Sequence, residues 1–202
     1  MASNTILTIR DYPTTDEEKA AMTKFPYRQA VGSLLWLASG TRPDISYVVS
    51  QVAKFNSNPG MNHWKAIVKI FRYLMGTVNM GIKFSRNTDT NLPLNVTVTG
   101  YADSDHGRCT DTRRSITGYM FVMSNGPISW QSRQQTSVAL SSMEAEYMAL
   151  SAATQEAIWL RMILTDFEKS FNEPPALIIL RILRCTEERI TSARNIILKW
   201  NK

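Results

Sequence analysis

Cysteine is nearly absent from this chain: Cys109 and Cys185 are the only two in 202 residues. Two thiols make no disulfide framework, and their spacing is not that of a metal site, so they read as free thiols in a reducing compartment. Residues 1–16 hold no apolar core of the kind a secretory signal needs. No hydrophobic run approaches the ~20 residues that cross a bilayer. The expectation is a cytoplasmic or nuclear protein with no membrane partner. Histidine is equally scarce, at two residues. His63 reads as a cap or surface residue, because no other ligand type stands at metal spacing from it.

Basic residues outnumber acidic ones, 23 to 17, for a net charge of +6. That balance favours an anionic partner, with nucleic acid the natural candidate. A hydrophobic content of 44% is ordinary for a globular protein. The length allows one large domain or two small ones.

Residues 1–24 are polar and read as a flexible arm. Pro26 opens a helix with Val31, Leu34, Leu35 and Ala38 on one face, closed by Gly40. Pro43 opens a second, carrying Ile45, Val48, Val49 and Val52. A third, over residues 63–75, places Trp64, Ile67, Val68, Phe71, Leu74 and Met75 at helical spacing. Residues 80–84 suit a short strand. The basic residues Lys54, Lys65, Lys69, Arg72 and Lys83 lie mostly between the apolar positions. They read as a solvated face or as a surface that tracks phosphates.

Residues 85–94 are polar and mark a domain boundary. Beyond them the apolar period changes from helical to alternating. Strands are expected over residues 94–102, 116–123 and 128–132, with Asn125-Gly126 suiting a tight hairpin between the last two. A long or broken helix over 142–169 follows, then an apolar run over 176–182. The implied architecture is α+β, a sheet with a helix packed on one face.

One stretch in this helix asks for more than local chemistry. Ser141 can cap its start, with Glu144 as the capping-box partner. Glu146 has no such role, and it sits on a stripe with Leu150. If Leu150 faces the core, Leu150→Asp should unfold this domain more readily than Glu146→Gln. Upstream, Asp103 falls at the end of the first expected strand, beside which the helix would pack. Two carboxylates brought together repel unless a cation lies between them, and hard divalent ions such as Mg²⁺ favour oxygen ligands.

Longer motifs carry a resemblance. Phe25-Pro26-Tyr27-Arg28-Gln29-Ala30-Val31-Gly32-Ser33-Leu34, Thr41-Arg42-Pro43-Asp44-Ile45, His63-Trp64-Lys65-Ala66 and Arg72-Tyr73-Leu74-Met75-Gly76-Thr77 come first. Tyr101-Ala102-Asp103-Ser104-Asp105, Arg113-Arg114-Ser115-Ile116-Thr117-Gly118-Tyr119, Ile128-Ser129-Trp130, Ser141-Ser142-Met143-Glu144-Ala145-Glu146-Tyr147 and Glu156-Ala157-Ile158-Trp159-Leu160 follow. In this order they resemble the Pol polyprotein of copia-type retrotransposons. The resemblance implies a helical reverse transcriptase tail over 25–85, thumb- or connection-like, and a ribonuclease H-like core over 95–170. It further implies cleavage of RNA in RNA–DNA hybrids with two Mg²⁺ ions (or Mn²⁺) held by four acidic residues. Asp103 and Glu146 match two of the four. Asp105 belongs to the same motif in a supporting role, and Asp44 sits in the first turn of a helix.

The other two carboxylates find no match. Residues 176–183 carry no acid where the third belongs, and Ile197 stands where the closing aspartate belongs. The polymerase's paired aspartates are missing too, and the family's last helix would lie beyond Lys202. Residues 171–202 therefore read as a divergent, degraded tail. Arg181-Ile182-Leu183-Arg184 and Glu187-Glu188-Arg189 spell the signals of oomycete secreted effectors, but far from an N-terminal leader, and read as coincidence. Three functions stay open. The first is a truncated Pol fragment without robust catalysis, able to associate with other Pol fragments. The second is an active ribonuclease H completed by Asp166, Glu168, Glu173 or another chain. The third is a non-enzymatic module binding nucleic acid or protein through the basic face.

Overall fold

The computed structural model describes residues 7–85, 97–171 and 179–184. The chain divides into two compact units, Met1–Gly81 and Ile82–Lys202.

The first unit is helical: α1 (Asp16–Met22), α2 (Tyr27–Gly40), α3 (Ser46–Ala53) and α4 (Met61–Gly76). Pro26 caps α2, and Pro43 opens a 3-10 turn that runs into α3. Tyr27, Val31, Leu34 and Ala38 of α2 meet Val49 and Val52 of α3 and Ala66, Ile67 and Ile70 of α4, with Ile45 beside them. The Tyr27 hydroxyl donates to the Val52 carbonyl at 2.8 Å, which satisfies the one polar atom that Tyr27 carries into this core.

Three expectations need correction here. Residues 7–24 are not an irregular arm. Thr15 accepts from the Glu18 amide to cap α1, Met22 is buried, and the Asp11 carboxylate accepts from the Asn62 side chain at 2.7 Å. Gly60 permits this docking, since a Cβ there would strike the Asp11 carbonyl. The second correction concerns α4, whose buried stripe is His63, Ala66, Ile67 and Ile70, while Phe71 and Met75 face solvent. His63 caps the helix from inside: its Nδ1 accepts from the Gly60 amide at 2.9 Å and its ring stacks on Phe55. That seat shifts the centre of the stripe, so that Trp64 and Leu74 are only partly buried against the core. Finally, residues 80–84 form no strand; the neighbouring Ser85 amide bonds to the Ser124 carbonyl at a hairpin turn.

The second unit holds β1 (Thr97–Asp105), β2 (Ile116–Met123), β3 (Gly126–Gln134), α5 (Ser142–Phe171) and β4 (Ile179–Arg184). The sheet order is β3-β2-β1-β4. The first three strands pair antiparallel, and β4 lies parallel to β1. A parallel neighbour needs a crossover connection, and α5 supplies it across one face of the sheet. Mixed helix and sheet in this unit agree with an α+β class.

Alanine sets the packing distance. Ala145, Ala149, Ala153 and Ala157, four residues apart, are all buried. Ala153, Ala157 and Leu160 rest on Val98, Ala102 and Phe121. Leu150 lies off this stripe and is 40% exposed, so the ranking of Leu150→Asp above Glu146→Gln loses its basis.

The hairpin between β2 and β3 turns on Ser124-Asn125, both at positive φ (50° and 63°), with Met123 paired to Gly126. A two-residue turn of this hand favours Asn-Gly at its centre, so the Asn-Gly of the sequence sits one position late. Replacing Ser124-Asn125 by Asn-Gly is expected to stabilise this unit by about 1 kcal/mol or less, read as a rise in thermal midpoint. An unchanged or lower midpoint would count against the assigned turn.

Candidate functional site

Asp103 lies within β1 rather than at its end, because the ladder runs on through Ser104–Thr117 to Asp105–Ile116. Its strand partner is Gly118. Ala102 is buried beneath α5, so strand alternation sends the Asp103 side chain to the opposite pleat. Glu146 follows Ala145, the first buried residue of the inner stripe, and turns out to the rim of α5. Both carboxylates are half-buried, on elements that pack against each other.

The start of α5 is fixed from two sides. The Ser141 hydroxyl accepts from the Glu144 amide at 3.1 Å, and the Glu144 carboxylate reaches back to the Leu140 amide at 2.7 Å. From below, the buried Gln135 side chain donates to Thr117 Oγ1 at 3.0 Å and to the Ala145 carbonyl at 2.8 Å. That carbonyl belongs to the peptide just before Glu146, so Gln135 ties the Glu146 backbone to β2. Sequence reasoning missed Gln135. It stands in a polar run between strand and helix, where glutamine normally faces water.

Other motif residues are ties of the same kind. Glu156 accepts from the Ser129 hydroxyl at 2.5 Å and from the Tyr119 hydroxyl at 3.4 Å. Burial, then the charge of Glu156, pushes the Tyr119 phenol up to about 12. Three of the sequence motifs thus meet at one carboxylate, about 15 Å along α5 from Glu146. In the helical unit, Arg42 makes a two-pronged bond to Asp44 at 2.8 and 2.9 Å and donates to Thr77. Tyr73 also donates to Asp44, at 2.8 Å. Asp105 pairs with Arg108 at 2.8 Å on the surface.

Among the described residues, no three His, Cys, Asp or Glu side chains gather where they could hold a metal ion. The candidates for completing the site fare no better. Asp166 and Glu168 share the single helix α5 with Glu146, and twenty or more residues of helix place them about 30 Å away. Glu173, the region of Ile197, Cys185 and Glu187-Glu188-Arg189 lie outside the described residues. The described side chains therefore do not fit a four-carboxylate, two-ion centre. Arg181-Ile182-Leu183-Arg184 forms part of β4, in register with Thr99 to Ala102. The exposed basic residues Lys65, Lys69 and Arg72 follow one another along α4 at i, i+4 and i+7. Among the described residues no helix is long and apolar enough to cross a membrane.

Comparison with known proteins gives relatives along most of the chain. It is 46% identical over 154 residues to the retrovirus-related Pol polyprotein from transposon TNT 1-94 of Nicotiana tabacum, covering 76% of this chain and 11% of that protein. It is 36% identical over 159 residues to the Pol polyprotein from transposon RE2 of Arabidopsis thaliana, covering 77% and 10%. It is also 43% identical over 139 residues to the secreted RxLR effector protein 161 of Plasmopara viticola, covering 69% of this chain and 94% of that protein. The chain spans about a tenth of the length of the transposon polyproteins it matches. No family model matches the chain, and no solved structure matches it.

Proposed function

The chain belongs to the copia-type retrotransposon Pol family, and from that premise we propose a Pol-derived segment with a reverse transcriptase tail and a ribonuclease H-like core that lacks robust catalysis. The mixed sheet with its packed crossover helix supports the ribonuclease H-like reading. The observation that carries the inactivity is the donor set. Among the described residues Asp103 and Glu146 are two carboxylates where the family's chemistry calls for four, Asp103 stands on the pleat of β1 turned away from α5, and helix geometry keeps Asp166 and Glu168 away from Glu146. Groups that act as a unit lose most of the rate when part of the set is gone. Two carboxylates suit at most one hydrated Mg²⁺ or Mn²⁺. No polymerase activity is expected, and the compartment we propose is cytoplasm or nucleus.

Binding is the function left to such a segment. Lys65, Lys69 and Arg72 on the exposed side of α4 favour a nucleic-acid backbone, RNA–DNA hybrid included, as the partner. One relative's name describes a secreted effector. Here the matching Arg-Ile-Leu-Arg is a sheet strand, which counts against its use as a linear signal.

The test is a labelled RNA–DNA hybrid incubated with the folded chain and Mg²⁺ or Mn²⁺, beside Asp103→Asn and Glu146→Gln. We expect salt-dependent binding and no cleavage above background. Cleavage that disappears in both variants would overturn this reading and make the chain a working nuclease.

A further inference from the structure

The side of α5 turned away from the sheet sets large apolar residues among polar ones, where a surface helix is normally polar throughout. Tyr147 is 66% exposed and Ile158 47%, with Met143 and Met162 exposed beside them. The exposed residues Glu144, Tyr147, Ser151, Thr154, Ile158 and Arg161 follow one another at alternating intervals of three and four. That alternation is the seam of a two-helix coiled coil, distinct from the buried alanine stripe spaced by fours.

The order of side chains along this seam says what covers it. Read from either end it has the same form: a charge, a large apolar group, a small hydroxyl, then a small hydroxyl, a large apolar group and the opposite charge. An antiparallel copy of the same helix, related by a two-fold axis passing between Ala152 and Ala153, sets Glu144 against Arg161. The same axis sets Tyr147 against Ile158 and Ser151 against Thr154. Each pairing occurs twice, as an isologous interface requires. The small central pair lets the two backbones approach, the apolar pairs on either side exclude water, and an ion pair closes each end. Met143 and Met162, which flank the seam, also fall opposite one another. A parallel arrangement would stack Glu144 on Glu144 and Arg161 on Arg161, so charge selects the antiparallel one.

We propose that α5 is a homodimerisation helix whose partner is α5 of a second copy of this chain, antiparallel across that axis. From Glu144 to Arg161 the contact runs about 26 Å, at the small end of specific interfaces, so the dimer is concentration-dependent rather than obligate.

Sedimentation of the full chain from low to high micromolar concentration tests this. The chain is expected to pass from monomer to dimer. Glu144→Arg and Arg161→Glu alone should each weaken self-association at least about tenfold, because each places like charges at both ends of the seam. A mixture of these two variants should pair with each other, since every Arg then meets a Glu. Glu144→Arg also removes the bond to the Leu140 amide, so Tyr147→Lys mixed with Ile158→Glu, which spares that cap, gives a second complementary pair. Circular dichroism verifies that each variant is folded. A chain that stays monomeric throughout overturns the proposal. So does undiminished self-association of the folded single variants, or mixtures that show no preference for the mixed dimer.

Discussion

Phe121→Ala is expected to destabilise the sheet-and-helix unit by about 3–5 kcal/mol, the range for removing a fully buried aromatic ring. Small domains have only about 5–15 kcal/mol in hand, so this removes a large share of the unit's stability. The reasons are local. Phe121 is fully buried at the centre of the cluster that joins β1, β2 and α5. The Tyr119 ring meets it edge-on at 5.9 Å, and across the ladder it faces Gly100. Its ring occupies the space where a Cβ on residue 100 would go. Gly100→Ala therefore forces a methyl into a ring that β2 holds in place, at about 1–3 kcal/mol. The two changes should not add. Once Phe121 is alanine, a methyl at residue 100 fills part of the cavity and replaces a strand glycine, so the second substitution becomes neutral or favourable. Urea denaturation of the two single variants and the double variant measures the coupling. Simple additivity would mean that the ring and the glycine do not share this space.

Large side chains and alternation were legible in this unit, and small side chains were not. Residues 116–123 read as a strand because Ile116, Phe121 and their neighbours alternate up to a turn. The helix beside them read correctly in extent, but its buried face did not. Leu150 and Tyr147 carry more hydrophobic weight than Ala149 and Ala153, yet only alanine lets α5 lie this close to Gly100 and Phe121. β1 runs past its expected end at Ala102 because Asp103, Ser104 and Asp105 are poor strand formers alone and are held there by β2. In the helical unit the docking of Asp11 on Asn62 and of Tyr12 on His63 joins residues 51 positions apart in the chain. Local pattern cannot show such contacts. The same limit applies at the candidate site. Sequence motifs put Asp103 and Glu146 on elements that do pack together, but the buried amide of Gln135 and the convergence of Tyr119 and Ser129 on Glu156 exist only in three dimensions.

Arg42→Ala and Asp44→Ala should each cost the helical unit about 3–5 kcal/mol, because each strands a buried charge whose partner is gone. The side chains of both residues are more than nine-tenths buried, and the Arg42 fork is filled by one carboxylate. Arg42→Lys should not rescue the loss, since an ammonium cannot make both bonds at once. The pair also sets an acid limit on stability. Burial works against a charged Asp44, but hydrogen bonds from Arg42 and Tyr73 and the Arg42 charge outweigh it, so the carboxyl titrates below its ordinary 3.8. A depressed folded value means that the stabilisation is complete above the unfolded value and is lost as the pH falls through 3.8 toward the folded one. Asp11 is also depressed, with burial again opposing and Asn62 and Thr8 prevailing, so the wild-type acid transition contains both groups. Asp44→Asn separates them. Its thermal midpoint should be lower than wild type at neutral pH, and the gap should close as the pH drops below about 4, where the wild-type carboxylate is neutralised too. A gap that stays constant down to strong acid would show that the Asp44 charge contributes nothing and that the motif is held by its packing alone.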